Sequence, residues 1–516
     1  MRRHRDALVR HARAAAHRLA DTRGMFFVSA SYQGRSLLSA ATELADTVRE
    51  AMGPSRPAHL VALFATPWAE WGSGLAETPN VHRRTSPARP PVALAVPGGC
   101  PQRVAGGSHY PREGEPCVSL LAAHLPGVRL LPFHAATGSL PSLGPSGAWT
   151  ELVRAARASA GAGANAAGAR AAAAPGGGGP GGGGAELAAG AGGGVPAGSG
   201  SHPAAGAAEE GDRRAAGSST AAEGPPPPAA SAAPRPAESV AALLLSTPHF
   251  LEVEELLGRF GLVAPGMQVV GGVTAPGAWG ESESNWGAVW LNDQVYAKGA
   301  VGCILRGPFK LDTIASPGFR GAGPVMRVTQ AQGQSVLEVD GEPVQKPLQR
   351  AISEALNSGE LATALKIGHH HDHQQPQQPQ QLVTRNWFFR QAPPRPAMTV
   401  ATSEPITRGT AIQVHLQNYP AAHRDMRDRL RDYAQRLPPG AAAAAGGVGV
   451  LALSCSSLPF LEDTDVARCL PGAAFAGGKV EGEVCSTLEG QPSRLHSFTS
   501  CMALLRAADG PGDASA

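Results

Sequence analysis

The sequence predicts a mixed α/β protein, with two packed α/β halves built on mixed sheets and interrupted by long low-complexity inserts. Three observations predict this class. Short runs that are apolar throughout, such as HLVALFAT (59–66) and VGVLALSC (448–455), fit strands buried on both faces. They alternate with segments whose apolar residues recur at helical spacing, such as GRSLLSAATELADTVREAMG (34–53). The 65 Gly and 46 Pro are also unevenly spread, and residues 155–236 are almost entirely Ala, Gly and Pro. A stretch with so little apolar surface to bury cannot offset its ordering entropy, so it is expected to be a disordered insert.

Taken in order, residues 34–53 form a helix ending at Gly53, and 59–66 and 91–99 form buried strands. EPCVSLLAAHLPG (115–127) fits a helix or a buried strand, and VRLLPFH (128–134) is the next strand. Beyond the insert, VAALLLS (240–246) reads as a helix, FLEVEELLGRFG (250–261) as another, and MQVVGG as a strand. A hairpin is expected at Asn292-Asp293 and an alternating pair of strands around Gln332-Gly333. KPLQRAISEAL is then helical. After a second low-complexity piece, HHHDHQQPQQPQQ (369–381), TAIQVHLQN, VGVLALSC and SFTSCMALL are strands, and RDMRDRLRDYAQRL is an amphipathic helix. No long internal repeat is evident.

Bulk properties narrow the function classes. Net charge is +3, from 44 basic and 41 acidic residues, which supplies no general attraction to nucleic acid. No breaker-free run of about 18 apolar residues occurs, so no membrane association is expected. The seven cysteines (Cys100, Cys117, Cys303, Cys455, Cys469, Cys485 and Cys501) are odd in number and form no CxxC pair. That pattern points to an intracellular, cytoplasmic protein rather than a disulfide framework. Residues 1–24 are basic and acid-poor, like an organelle transit peptide, which makes a chloroplast or mitochondrion the alternative compartment. The lack of serine there counts against a plastid signal.

Three apolar runs end at paired glycines: Gly98-Gly99, Gly271-Gly272 and Gly477-Gly478. These are either tight turns or strand-end edges where backbone amides let a ligand come close. None carries a GxGxxG or GxxxxGK[ST] pattern, so no nucleotide cofactor is implied. The His369–His373 run lies in a Gln/Pro tract and implies only adventitious metal binding, so no cofactor or metal is expected. Glu113 with Glu115, and Glu481 with Glu483, could do acid/base work if buried together, or could be solvated turns. Ser454-Cys455 follows a strand but lacks the glycine-flanked elbow of a hydrolase, so the chain is read as non-enzymatic.

In their order these pieces resemble the FIST family, whose paired N- and C-terminal domains occur in bacterial signalling proteins and in some eukaryotic F-box proteins. The stretches that carry the resemblance include PREGEPCVSLLAAHLPGVRLLPFH (111–134), MQVVGGVTA (267–275), VYAKGAVGCIL (295–305), LVTRNWF (382–388), VGVLALSC, GGKVEGEV (477–484) and RLHSFTSCMALL (494–505). The resemblance is to a eukaryotic member without an evident F-box. It implies a FIST N-like domain over 25–335, interrupted by 155–236, and a FIST C-like domain over 336–508, interrupted by 369–381. Residues 1–24 form a basic extension and 509–516 a disordered tail.

What the resemblance implies is an intracellular sensor that binds a small, amino-acid-like metabolite. Arg112, Glu113, Glu115, Asn386, Cys455, Glu483, His496 and Thr499 join the three glycine pairs as candidate ligand contacts. Where many relatives have Cys, a small residue and Arg, this chain has Cys455-Ser-Ser, so an anionic ligand would lose a bidentate partner. The alternative is an interaction scaffold or adaptor, in signalling or ubiquitin-linked pathways, recruiting a protein through the Pro-rich GPPPPA insert. A third reading, a hydrolase or transferase using Cys455, needs a thiolate-activating base beside it.

Overall fold

The computed structural model describes residues 24–33, 37–65, 91–97, 117–138, 140, 238–274, 287–357, 365–369, 383–390, 397–400, 405–438, 446–458, 463–487 and 491–508. One strand pattern recurs three times along them. In the first repeat, β1 (Phe26–Gln33), β2 (Leu60–Ala65), β3 (Val92–Pro97) and β4 (Cys117–His124) form a sheet in the order β1-β4-β2-β3. In it β4 runs antiparallel to β1 and β2, while β2 and β3 are parallel. The second repeat contributes β5 (Arg129–Ala135), β6 (Ser239–Ser246), β7 (Gln268–Val273), β8 (Val289–Leu291), β9 (Gln294–Tyr296) and β10 (Ala300–Gly307). Its sheet has the order β5-β10-β6-β7 with the same pattern of directions.

The third repeat starts with β11 (Phe309–Pro317) and is interrupted by an inserted layer. That layer holds β12 (Phe319–Gln332), β13 (Ser335–Val339), β14 (Glu342–Pro343), β15 (Leu365–His369), β16 (Val383–Arg385), β17 (Trp387–Arg390), β18 (Ala397–Val400) and β19 (Ala411–Gln417). The repeat then resumes with β20 (Val448–Cys455), β21 (Ala474–Val480), β22 (Gly482–Cys485), β23 (Arg494–His496) and β24 (Thr499–Ala507). Its sheet, β11-β24-β20-β21, again pairs two strands antiparallel and the last two parallel. A long repeat is therefore present, contrary to the sequence reading. The insert, the 155–236 block and the low similarity of side chains hide its period.

The hairpins are exchanged between repeats. β8-β9 lies in the chain between β7 and β10 but extends the first sheet from β3. β22-β23 lies between β21 and β24 but extends the second sheet from β7. Sheets therefore cross the boundary expected at residue 335.

Inner faces of all three sheets share one core. Alternate residues supply it: Leu60, Ala62 and Phe64 from β2, Ala241, Leu243 and Leu245 from β6, Leu451 and Leu453 from β20. The residues between them point outward onto helices. α1 (Leu37–Met52) covers the first sheet through Leu44 and Val48, and α2 (Val253–Val263) covers the second through Leu256 and Phe260. α3 (Gln345–Asn357) packs on the inserted layer, which has its own core around Val336 and Val414. α4 (Tyr419–Arg436) and α5 (Asp463–Cys469) cover the third sheet through Leu430 and Val466. Burial on both faces explains two outcomes at once. EPCVSLLAAHLPG resolves as strand β4, and VAALLLS is β6, not a helix. A strand that is apolar on both sides loses the alternation that would mark it.

Local chemistry sets the ends. Gly53, at φ 72°, stops α1 in the left-handed conformation that glycine adopts without strain. Asn418 caps α4, its Oδ1 accepting from the Ala421 amide at 3.0 Å. The β8-β9 turn sits at Asn292-Asp293 as expected, with Asn292 at φ 55°. No helix among the described residues is long and apolar enough to cross a membrane.

Candidate functional site

The exchanged β22-β23 hairpin brings together most of the described candidate residues. On β22, Glu483 lies opposite Gly272 of β7 on one side and His496 of β23 on the other. Its side chain is fully buried. One carboxyl oxygen, Oε2, accepts from the Thr499 amide at 3.1 Å. The other, Oε1, is buried with no hydrogen-bond partner among the described residues. Burial raises the Glu483 pKa well above the usual carboxylate range, and negative charge on Cys455 would raise it further, while the Thr499 amide pulls it down. Burial thus favours the neutral form of the Glu483 carboxyl.

Sulfur surrounds this carboxyl. Cys455, the last residue of β20, is buried, and its Sγ lies 3.1 Å from the Ser457 hydroxyl. Cys485 and Cys501 hydrogen-bond to each other, and that contact with burial raises the Cys501 pKa strongly. Cys303, Cys455, Cys469, Cys485 and Cys501 are free. Next along β23 and β20, His496 Nε2 is 3.3 Å from the Cys485 carbonyl, and the hydroxyls of Ser454 and Ser500 meet at 2.8 Å.

The glycines have a different job from the one expected. Gly271-Gly272 and Gly477-Gly478 do not end their strands; they lie inside β7 and β21. A Cβ at Gly271 would run into the Leu244 carbonyl of the parallel neighbour β6, and one at Gly477 into the Ala452 carbonyl of β20. Gly478 faces the Phe64 ring of the first sheet, and Gly272 the Gly482 carbonyl and Val480. The close backbone approach is made by the chain itself. Asn386 is exposed between β16 and β17, whereas the Glu483 side chain is buried. Gly98, Gly99, Arg112, Glu113 and Glu115 lie outside the described residues.

Sequence reasoning missed Arg385. It is buried on β16, and its Nη2 donates to Glu254 of α2 at 2.8 Å and to the Leu495 carbonyl of β23 at 2.9 Å. The inserted layer is thereby tied to the same hairpin that carries Glu483. A lone arginine between two short strands gave no signal of this.

Residues 147–342 match the FIST N domain. FIST is a sensory domain family, so the match supports a sensory role. The FIST N match takes in β6 to β13 and contains Gly271 and Gly272, whereas Glu483, His496 and Thr499 come from strands beyond it. The second sheet is therefore completed by residues outside the FIST N stretch. No curated protein matches the chain.

Proposed function

We propose that this chain is a non-catalytic sensor of a small, amine-bearing metabolite of amino-acid type, and that the ligand's ammonium group reaches Glu483. The single observation behind this reading is the buried, unpartnered Oε1 of Glu483. A buried carboxyl oxygen without a donor is costly, and an ammonium donor would both satisfy it and stabilise its ionised form. Ligand binding would then expel the Glu483 proton, giving a local charge change that a sensor can transmit. On this reading residues 336–508 act as a FIST C-like partner, since their β22-β23 hairpin builds half of the site. Free cysteines suit an intracellular, reducing setting.

A thermal-shift screen of the full chain tests this, comparing amino acids with their deaminated analogues. A ligand at a hundred times its Kd adds about 2.7 kcal/mol, which raises Tm by a few degrees. Selective stabilisation by the amine-bearing member, lost in Glu483→Gln, supports the reading. Silence across the panel, or an equal shift in the variant, removes it and favours the scaffold. That alternative is then tested by deleting residues 155–236 and measuring partner capture.

A further inference from the structure

The helices over the third sheet hold a second cleft, which the Glu483 reading does not use. Arg427 and Arg431 stand four residues apart on α4 and so share a face, and Arg468 projects from the end of α5. With Gln435, Asp465 and Cys469 they line a space of about 370 Å³. That is large enough for a small charged group, near the low end of ligand sites at about 300–1,000 Å³.

Charge in this cleft is unbalanced. Asp465, a buried side chain, lies 3.2 Å from Arg468 Nη1, 4.0 Å from Arg427 Nη1 and 3.4 Å from His423 Nε2. It cannot neutralise all of them. Arg431 pairs instead with the exposed carboxylate of Asp428 at 2.8 Å. Three guanidinium groups therefore face two carboxylates. Arg427 Nε is buried and makes no hydrogen bond among the described residues. Burial pushes the Cys469 thiol up against the pull of the three arginines, so the cleft is built for recognition rather than thiolate attack.

We propose that this cleft binds a phosphate group, as a small phosphomonoester or as inorganic phosphate, between Arg427, Arg431 and Arg468. Guanidinium forks match phosphate oxygens in pairs, and a bound phosphate anion offsets the surplus positive charge and offers an acceptor to the idle Arg427 Nε–H. The site lies on the outer helices of the third sheet, so it stands or falls independently of Glu483.

The thiol of Cys469, in the cleft wall, reports occupancy. Its alkylation in the full chain would be followed by peptide mass spectrometry in inorganic phosphate, in glycerophosphate, and in chloride of equal ionic strength. Bound phosphate is expected to slow the reaction saturably, by about tenfold at a concentration ten times Kd. The ester protecting at lower concentration assigns a phosphomonoester; the reverse order assigns the free ion. Arg431→Gln/Arg468→Gln should abolish protection, and Arg468→Gln alone, at a side chain that is 72% exposed, should weaken it. Equal rates in phosphate and chloride, or protection that survives in the folded double variant, would overturn the proposal.

Discussion

β7 and β21 occupy the same place in their sheets, yet their outer edges differ. Each is the parallel partner of a largely buried strand and each carries an internal glycine pair. β7 is continued by the β22-β23 hairpin, whereas β21 has no further paired strand among the described residues. The hairpin that follows β21 in the chain has gone to β7 instead. This exchange is what buries Glu483: a residue one step beyond its own sheet becomes an interior residue of the neighbouring one. The comparison teaches that the candidate site belongs to the junction between repeats rather than to either repeat alone.

The parallel pairs offer the largest way to break this likeness. Gly271→Val and Gly477→Val each drive a side chain into the carbonyl of the adjoining strand. Each should cost about 3 kcal/mol or more, measured as a loss in denaturant midpoint at unchanged slope. Equal damage at both positions is expected if the repeats are equivalent. A cost below about 0.5 kcal/mol at either would mean that its sheet relaxes freely.

Breaking the tie to the inserted layer should come next in size. Arg385→Ala leaves Glu254 beside an empty buried position and frees the Leu495 carbonyl. The loss should be about 3 kcal/mol, partly restored by adding Glu254→Ala. If the double variant is no better than the single, the charge pair is not the source of the effect.

A smaller but sharper contrast is in pH. Burial lowers the His415 pKa on β19 to about 4, with the Phe319 backbone opposing it. The folded value lies below the unfolded one, so its stability contribution is full above pH about 6.5 and is lost as pH falls toward about 4, at most about 3 kcal/mol. Glu483 behaves in the opposite sense. Its folded value is raised, so its contribution is present below the ordinary glutamate pKa and is lost as pH rises through the folded value. Amide exchange, corrected for intrinsic rates, should show the inserted layer loosening in acid and the β22-β24 region loosening in base. Parallel trends in the two regions would contradict these assignments.

Much of the fold was legible because its strands are short, apolar and bounded by turns. β2, β3, β20 and the Asn292-Asp293 hairpin follow directly from that pattern. β6 was misread because burial on both faces erases alternation, leaving length and context to decide. The threefold repeat was invisible for a different reason: pairing partners are set by exchanged hairpins and long insertions, which no local pattern encodes. Of the candidate site, Glu483, His496 and Thr499 were legible only through the motifs that carry the family resemblance, and the structure brings them together. The glycine pairs also stood out, but tight strand contact and ligand access demand the same residue type, so the sequence could not separate them.

The most direct test concerns the protonation of Glu483. Infrared difference spectroscopy of the full chain against Glu483→Gln isolates the carbonyl stretch of a neutral carboxylic acid. The account predicts that band in the native protein at near-neutral pH, its absence in the variant, and its disappearance when an amine-bearing ligand binds. A Glu483 that is already ionised at that pH would contradict it, because the buried oxygen would then have found its donor within the chain.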